Sequence, residues 1–196
     1  MQNPVSEIGA VVSLLTAAAA PEIQKSAFLK YITPDAGFRH PICNVTPGPG
    51  SRERVLGIFQ WYRIMSPHID ITVNSAVHNP SNNTLLLDVV QEFHIRLSPF
   101  KPAPSRLLVR LTLREENGLQ YIAFQEDFYH PDDFISLVIP PLAPVIRAGL
   151  SLTSTVSEIY AKIGQLLGFW STSGVAHETS QHAQRGLYDS DHDKRD

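Results

Sequence analysis

The chain has 196 residues, 43% of them apolar and 18% charged. That is enough apolar material for one sizeable core, and it excludes wholesale disorder. Sixteen basic and nineteen acidic residues leave a net charge of -3, so no global field draws in nucleic acid and none is expected as a partner. Cys43 is the single cysteine, which excludes an intrachain disulfide framework and a multi-cysteine zinc site.

Residues 4–19 read as a first helix. Asn3 stands where an N-cap belongs, Pro4 at the first helical position, and Ile8, Val11, Val12 and Leu15 recur at helical spacing. The apolar stretch 8–20 also has the composition of a secretory signal, but no Lys or Arg precedes it, so the helix is the preferred reading. The sequons at Asn44 and Asn82 would matter only under the secretory alternative. A second helix is expected over 21–32, packed through Ile23, Ala27 and Phe28 and ended by Thr33-Pro34. Residues 35–50, rich in proline and glycine, read as a loop. A third helix is expected from Ser51 to Met65, with Val55, Ile58, Phe59 and Tyr62 on its core face.

The apolar period then falls from 3.6 to 2. Ile69, Ile71, Val73, Ser75 and Val77 share one face of a strand, and Leu85, Leu87, Val89, Gln91, Phe93 and Ile95 share one face of the next. A third strand runs through Leu107, Val109, Leu111 and Leu113 to the turn signal Asn117-Gly118, and a fourth runs from Leu119 to Tyr129. Hairpin connections predict an antiparallel, curved sheet of about four strands. Helices segregated from strands make the fold class α+β, with three helices covering one face of the sheet and leaving a conical cavity. Three regions follow: a cone-shaped domain at 1–135, an apolar helical extension at 136–170 and a disordered polar tail at 171–196.

No phosphate loop, GxGxxG, HExxH or GxSxG is present. His40, His68, His78, His94 and His130 lack metal-ligand spacing along the chain, so no metal site is expected. Three features could carry chemistry. Arg39 and His40 precede a rigid Pro41 and could orient an anionic or enolising group, although without fold context an exposed loop charge is the preferred reading. On the last strand Ile122, Phe124, Glu126 and Phe128 fall on one face, and Tyr121, Ala123, Gln125, Asp127 and Tyr129 on the other. A carboxylate flanked by isoleucine and phenylalanine is desolvated, so Glu126 is the preferred acid/base group, with Asp127 second and a structural ion pair with Arg110 or Arg39 as the alternative. The apolar stretch 134–170 reads as an interfacial anchor, a lid, a core helix or a dimer contact.

Phe38-Arg39-His40-Pro41, the third helix ending near Trp61-Tyr62 and the segment Gln125-Glu126-Asp127-Phe128-Tyr129 resemble the nuclear-transport-factor-like cone fold. Within it the chain resembles the fungal SigF-like branch, related to SnoaL-like cyclases. The resemblance implies relatives among polyketide cyclases, ketosteroid isomerases, scytalone dehydratases and fungal isomerases of secondary metabolism. It further implies no cofactor, with an acid/base carboxylate or histidine in the cone. Arg39 then matches a loop arginine, Glu126 or Asp127 a last-strand acid, and Tyr62 and Tyr121 weaker tyrosine positions. The expected function is a cofactor-independent isomerase, cyclase or dehydratase acting on a hydrophobic metabolite in the cytoplasm. Glu126 shuttles the proton, Arg39 stabilises developing charge, and Phe59, Tyr62, Phe93, Tyr121 and Phe124 hold the substrate. The alternatives are a non-catalytic lipid-binding module touching a membrane through 134–170 and a homodimeric scaffold.

Overall fold

A computed structural model describes residues 1–96 and 98–169. Helix α1 covers Pro4–Thr16, and its capping follows from the local sequence. Asn3 Oδ1 accepts the Ser6 N–H at 3.3 Å, and the Glu7 carboxylate accepts the Gln2 and Asn3 N–H groups at 2.7 Å each. These contacts satisfy donors that a helix start leaves open. Ile8, Val11 and Leu15 are buried, so the stretch with signal-like composition is a core helix. Helix α2, Pro21–Tyr31, buries Ala27, Phe28 and Gln24, whose amide donates to the Leu15 carbonyl at 2.6 Å and ties the two helices together. Ile23, expected in the core, is exposed. Helix α3, Ser51–Met65, buries Val55, Phe59 and Tyr62 as the spacing predicts.

The sheet has six strands, not four. They are β1 (Ile32–His40), β2 (Cys43–Val45), β3 (Ile69–Asn79), β4 (Thr84–Phe93), β5 (Ser105–Glu116) and β6 (Leu119–Tyr129), in the order β2-β1-β6-β5-β4-β3. All neighbours are antiparallel except β1 and β6, which are parallel. The segment read as a helix end and loop therefore forms β1 and β2. Pro34 and Gly37 concealed β1, and both have a physical place there. Pro34 sits where the ladder to β6 is interrupted, between Ile32 and Gly37. Gly37 lies directly against the Phe124 ring and Pro47, leaving no room for a Cβ.

Two further irregularities decide which side chains face inward. On β3 an extra residue, Asn74, stands between the paired Val73 and Ser75. Beyond it Ala76 packs on the core, while Val77, expected inside, is 61% exposed. On β6 the extra residue is Ala123: Ile122 pairs with Leu113, but Phe124 pairs with Thr112. One added residue reverses the faces of everything beyond it. The β5–β6 turn at Asn117-Gly118 forms as predicted, with positive φ of 53° and 76°.

The helices cover one face of the sheet. Phe28 and Phe38 each meet Phe59 edge-on, at centroid distances of 5.2 and 5.5 Å, and pack over Leu85, Leu87 and Leu111. After β6 come α4 (Pro131–Val138), a 3₁₀ turn at Pro140–Leu142 and α5 (Ala143–Leu166). The described residues divide into two units, the first ending at Ala148 and the second beginning at Gly149, so α4 belongs with the sheet. No helix among the described residues is long and apolar enough to cross a membrane. The expected tail at 171–196 lies outside the described residues.

Replacing Gly37 by Ala forces Phe124 or Pro47 to move. Overpacking of this kind costs about 1–3 kcal/mol. Urea unfolding of Gly37→Ala should show that loss, and adding Phe124→Leu should recover part of it. Equal stability of Gly37→Ala and wild type would contradict the close approach.

Candidate active site

Between the helices and the sheet of the first unit lies a cavity of about 430 Å³. Its walls are mostly apolar, with Leu87, Val109 and Ile122 from the sheet and Phe59 from α3. The polar groups of the helices and strands that line it include Thr16 on α1, His40 at the end of β1, Tyr62 on α3, Gln91 on β4, and Gln125, Asp127 and Tyr129 on β6, and the segment after β4 adds Arg96 and Ser98.

The Ala123 bulge creates this set. Gln125, Asp127 and Tyr129 pair with Leu111, Val109 and Leu107, the inward residues of β5. Glu126 pairs with Arg110, which faces out. Glu126 is therefore not the cavity carboxylate. It lies on the outer face, where Arg110 Nη1 reaches it at 3.2 Å and Arg39 Nη1 at 3.8 Å. The expectation placed it inside because Ile122 is inside, and simple alternation carries that assignment two residues too far. Arg39 also lies outside: on β1 it pairs with Glu126, its side chain is 71% exposed and directed to that carboxylate, and it does not line the cavity. Phe124 also faces out, over Gly37, and Tyr121 does not line the cavity. Asp127, His40, Phe59, Tyr62 and Phe93 do line it.

Asp127 keeps some accessible surface, but that surface opens on the cavity. Burial raises its pKa from 3.8 to about 7, and the Gln125 amide, donating to Oδ1 at 2.9 Å, opposes the rise without cancelling it. His40 moves the other way, from 6.5 down to about 4, because burial disfavours the imidazolium. Its ring stands 5.4 Å from Tyr129, 5.8 Å from Phe134 and 6.0 Å from Tyr62. His40 Nδ1 accepts the Ile42 N–H at 3.4 Å, which assigns the proton of the neutral ring to Nε2. Tyr129 Oη accepts from Gln91 Nε2 at 2.6 Å, leaving its own hydrogen to donate. Tyr62 Oη lies 3.7 Å from Cys43 Sγ. Burial raises the pKa of both phenols and of the Cys43 thiol, so these groups stay protonated at neutral pH. Gln91, Gln125 and Tyr129 were not assigned a site role from sequence. The signal for Gln91 was a single polar residue on the otherwise apolar face Leu85, Leu87, Val89, Phe93 and Ile95, and that for Gln125 and Tyr129 was their place on the same strand face as Asp127.

Residues 1–169 match the SigF NTF2-like domain. The chain belongs to that family. No curated protein resembles the sequence closely enough to count as a match. Among solved structures, this NTF2-like chain is similar to a hypothetical protein with a ketosteroid isomerase-like fold from Catenulispora acidiphila, in complex with trimethylamine. The two are 18% identical over 65% of this chain and 90% of that one, with a TM-score of 0.46. An NTF2-like protein from Anabaena variabilis shares 20% identity over 63% of this chain and 87% of its own, with a TM-score of 0.48. AusH from Aspergillus nidulans shares 13% over 60% and 77%, with a TM-score of 0.46.

In this NTF2-like domain the two perturbed groups couple to stability with opposite signs. Asp127 binds its proton more tightly folded than unfolded, so its contribution is complete below about pH 4 and is lost as pH rises to about 7. His40 binds its proton less tightly when folded, so its contribution is complete above about pH 6.5 and is lost as pH falls to about 4. Between those limits the two slopes oppose each other. Urea midpoints should therefore show, relative to wild type, a steeper fall with rising pH in His40→Asn and a steeper rise in Asp127→Asn. Parallel profiles in all three proteins would contradict burial of the two groups.

Proposed function

We propose that this chain is an enzyme that relocates a proton within a hydrophobic small molecule, in an isomerisation, cyclisation or dehydration that needs no cofactor. The observation that carries the reading is Asp127, a carboxyl set in an apolar wall with its pKa raised to about 7. A carboxyl poised near the working pH serves equally as acid and base. The cavity of about 430 Å³ lies within the range of small-molecule sites, about 300–1,000 Å³.

The chemistry divides among the residues as follows. Asp127 takes a proton from a carbon made acidic by a neighbouring carbonyl, then delivers it to a second carbon in an isomerisation, to the alkoxide formed in a ring closure, or to a departing hydroxyl that leaves as water in a dehydration. The Tyr129 hydroxyl, its oxygen already satisfied by Gln91, donates to the oxygen on which charge develops. Neutral His40, on the adjacent strand β1 with its ring 5.4 Å from that of Tyr129, supplies a further polar contact, and Phe59 and Phe93 exclude water. Arg39 and Glu126 have no part in this account.

Turnover of candidate polycyclic ketones, followed by liquid chromatography and mass spectrometry, tests it. Asp127→Asn should lose about 10²–10⁴-fold in rate, while Glu126→Gln and Arg39→Ala stay close to wild type. The reverse pattern, with Asp127→Asn active and Glu126→Gln dead, would refute the assignment.

One observation favours a second reading, membrane contact through 134–170. From Gly149 onward α5 carries exposed apolar side chains, among them Leu152, Ile159, Tyr160 and Leu166, with Glu158 and Lys162 as its charges. A helix of this kind can lie in a membrane interface with its apolar side chains buried. The full chain should then co-sediment with anionic liposomes, and Leu152→Asp with Ile159→Asp should release it. Failure of the wild type to sediment would end this reading.

A further inference from the structure

Outside the cavity, among the described residues, one cluster gathers imidazole and carboxylate ligands: His68, Asp70 and His94. The strand register creates it. Ile69 pairs with Phe93 and Asp70 with Glu92, and the His94 N–H donates to the His68 carbonyl at 3.2 Å, so His68 and His94 stand opposite each other at the end of the β3–β4 ladder. Ile71 and Phe93 line the cavity, so alternation turns Asp70 and His94 to the outer face of the sheet. His68 Nε2 lies 3.1 Å from Asp70 Oδ1, and His94 Nε2 lies 3.0 Å from Asp70 Oδ2. The two imidazole rings meet edge-on at 4.7 Å, and the three ligand atoms all fall within 4.8 Å of one another.

We propose that His68, Asp70 and His94 form a binding site for a divalent transition-metal ion of the zinc class, held by the two Nε2 atoms and a carboxylate oxygen, with water completing the shell. The donor set of two imidazoles and one carboxylate suits such an ion, and not calcium or magnesium, which take oxygen ligands. Zinc bonds of about 2.0–2.2 Å at a tetrahedral angle separate neighbouring ligand atoms by about 3.3 Å. The two His–Asp separations of 3.1 and 3.0 Å, each to a different oxygen of Asp70, are near that value, and the 4.8 Å that encloses all three ligand atoms leaves a small inward adjustment of the exposed side chains. The backbone is held in advance: the Ser66 hydroxyl donates to the His68 carbonyl at 2.6 Å, and Asp70 sits within the paired ladder. Exposed ion pairs contribute little to stability, so fold stability does not account for the convergence of three such groups. The ion would clamp β3, an edge strand, to β4. None of the three residues lines the cavity, so this inference stands independently of the chemistry assigned to Asp127.

Titration of the full chain with Zn²⁺ alone, by calorimetry and by thermal unfolding, tests the site. Wild type should bind one ion through this cluster and unfold at a higher temperature as Zn²⁺ is added. Co²⁺ in its place should give the visible absorption of a tetrahedral ion. The double variant His68→Ala, His94→Ala, which keeps the remaining histidines, should lose the site and the rise in Tm. Asp70→Asn should weaken binding by at least about tenfold. All three side chains are exposed, and circular dichroism of each variant should match wild type. No Zn²⁺ binding by wild type, or equal binding and an equal rise in Tm in the double variant, would overturn the proposal.

Discussion

A single inserted residue in the last strand governs the character of the cavity. Ile122 must face the core, because it is apolar and pairs with Leu113. With unbroken alternation Glu126 would join it inside and Asp127 would face water. The extra residue at Ala123 separates those two requirements. It keeps Ile122 in the core and turns Gln125, Asp127 and Tyr129 inward. Two adjacent carboxylates thus enter opposite surroundings. Glu126 meets the guanidinium groups of Arg110 and Arg39, and Asp127 meets an apolar wall and the Gln125 amide. Bulges that re-aim a side chain are a recurrent device beside active sites.

The remainder of the cavity follows from how the helices meet the sheet. Phe59 and Tyr62 lie on the buried face of α3, so the aromatic residues that pack the fold also wall the hollow. Gln91 stands on the inward face of β4 in place of an aliphatic residue, and its amide holds the Tyr129 oxygen. An apolar surround makes charge costly and leaves the few polar groups protonated or neutral. The low affinity of His40 for a proton and the high affinity of Asp127 are two results of that one environment.

Much of this was legible in the sequence, and the failures share a cause. Helices α1 and α3, the Asn117-Gly118 turn and the inward face of β4 follow from capping chemistry and periodicity, which are local signals. β1 was invisible because Pro34 and Gly37 are poor strand residues, and it is the parallel partnership with β6 that makes a strand of this segment. The bulges at Asn74 and Ala123 left no mark, since nothing in Phe124 or Val77 announces a change of face. Phe59 and Tyr62, on the regular helix α3, line the cavity from the face that periodicity predicts, while Glu126 and Phe124 beyond the bulge on β6, and Arg39 on β1, face away from it. His68 and His94 illustrate the same point. They are 26 positions apart in the chain, and only the β3–β4 register brings them together.

The proposed chemistry rests on one proton, held by a carboxyl group inside an apolar hollow. Carbon-13 NMR of the Asp127 side-chain carboxyl, followed through a pH titration and assigned with Asp127→Asn, observes it directly. A midpoint near pH 7 agrees with a buried group lining the cavity. A midpoint near 3.8, the ordinary value for an aspartate, would mean that Asp127 meets water freely and would remove the basis of the proposed chemistry.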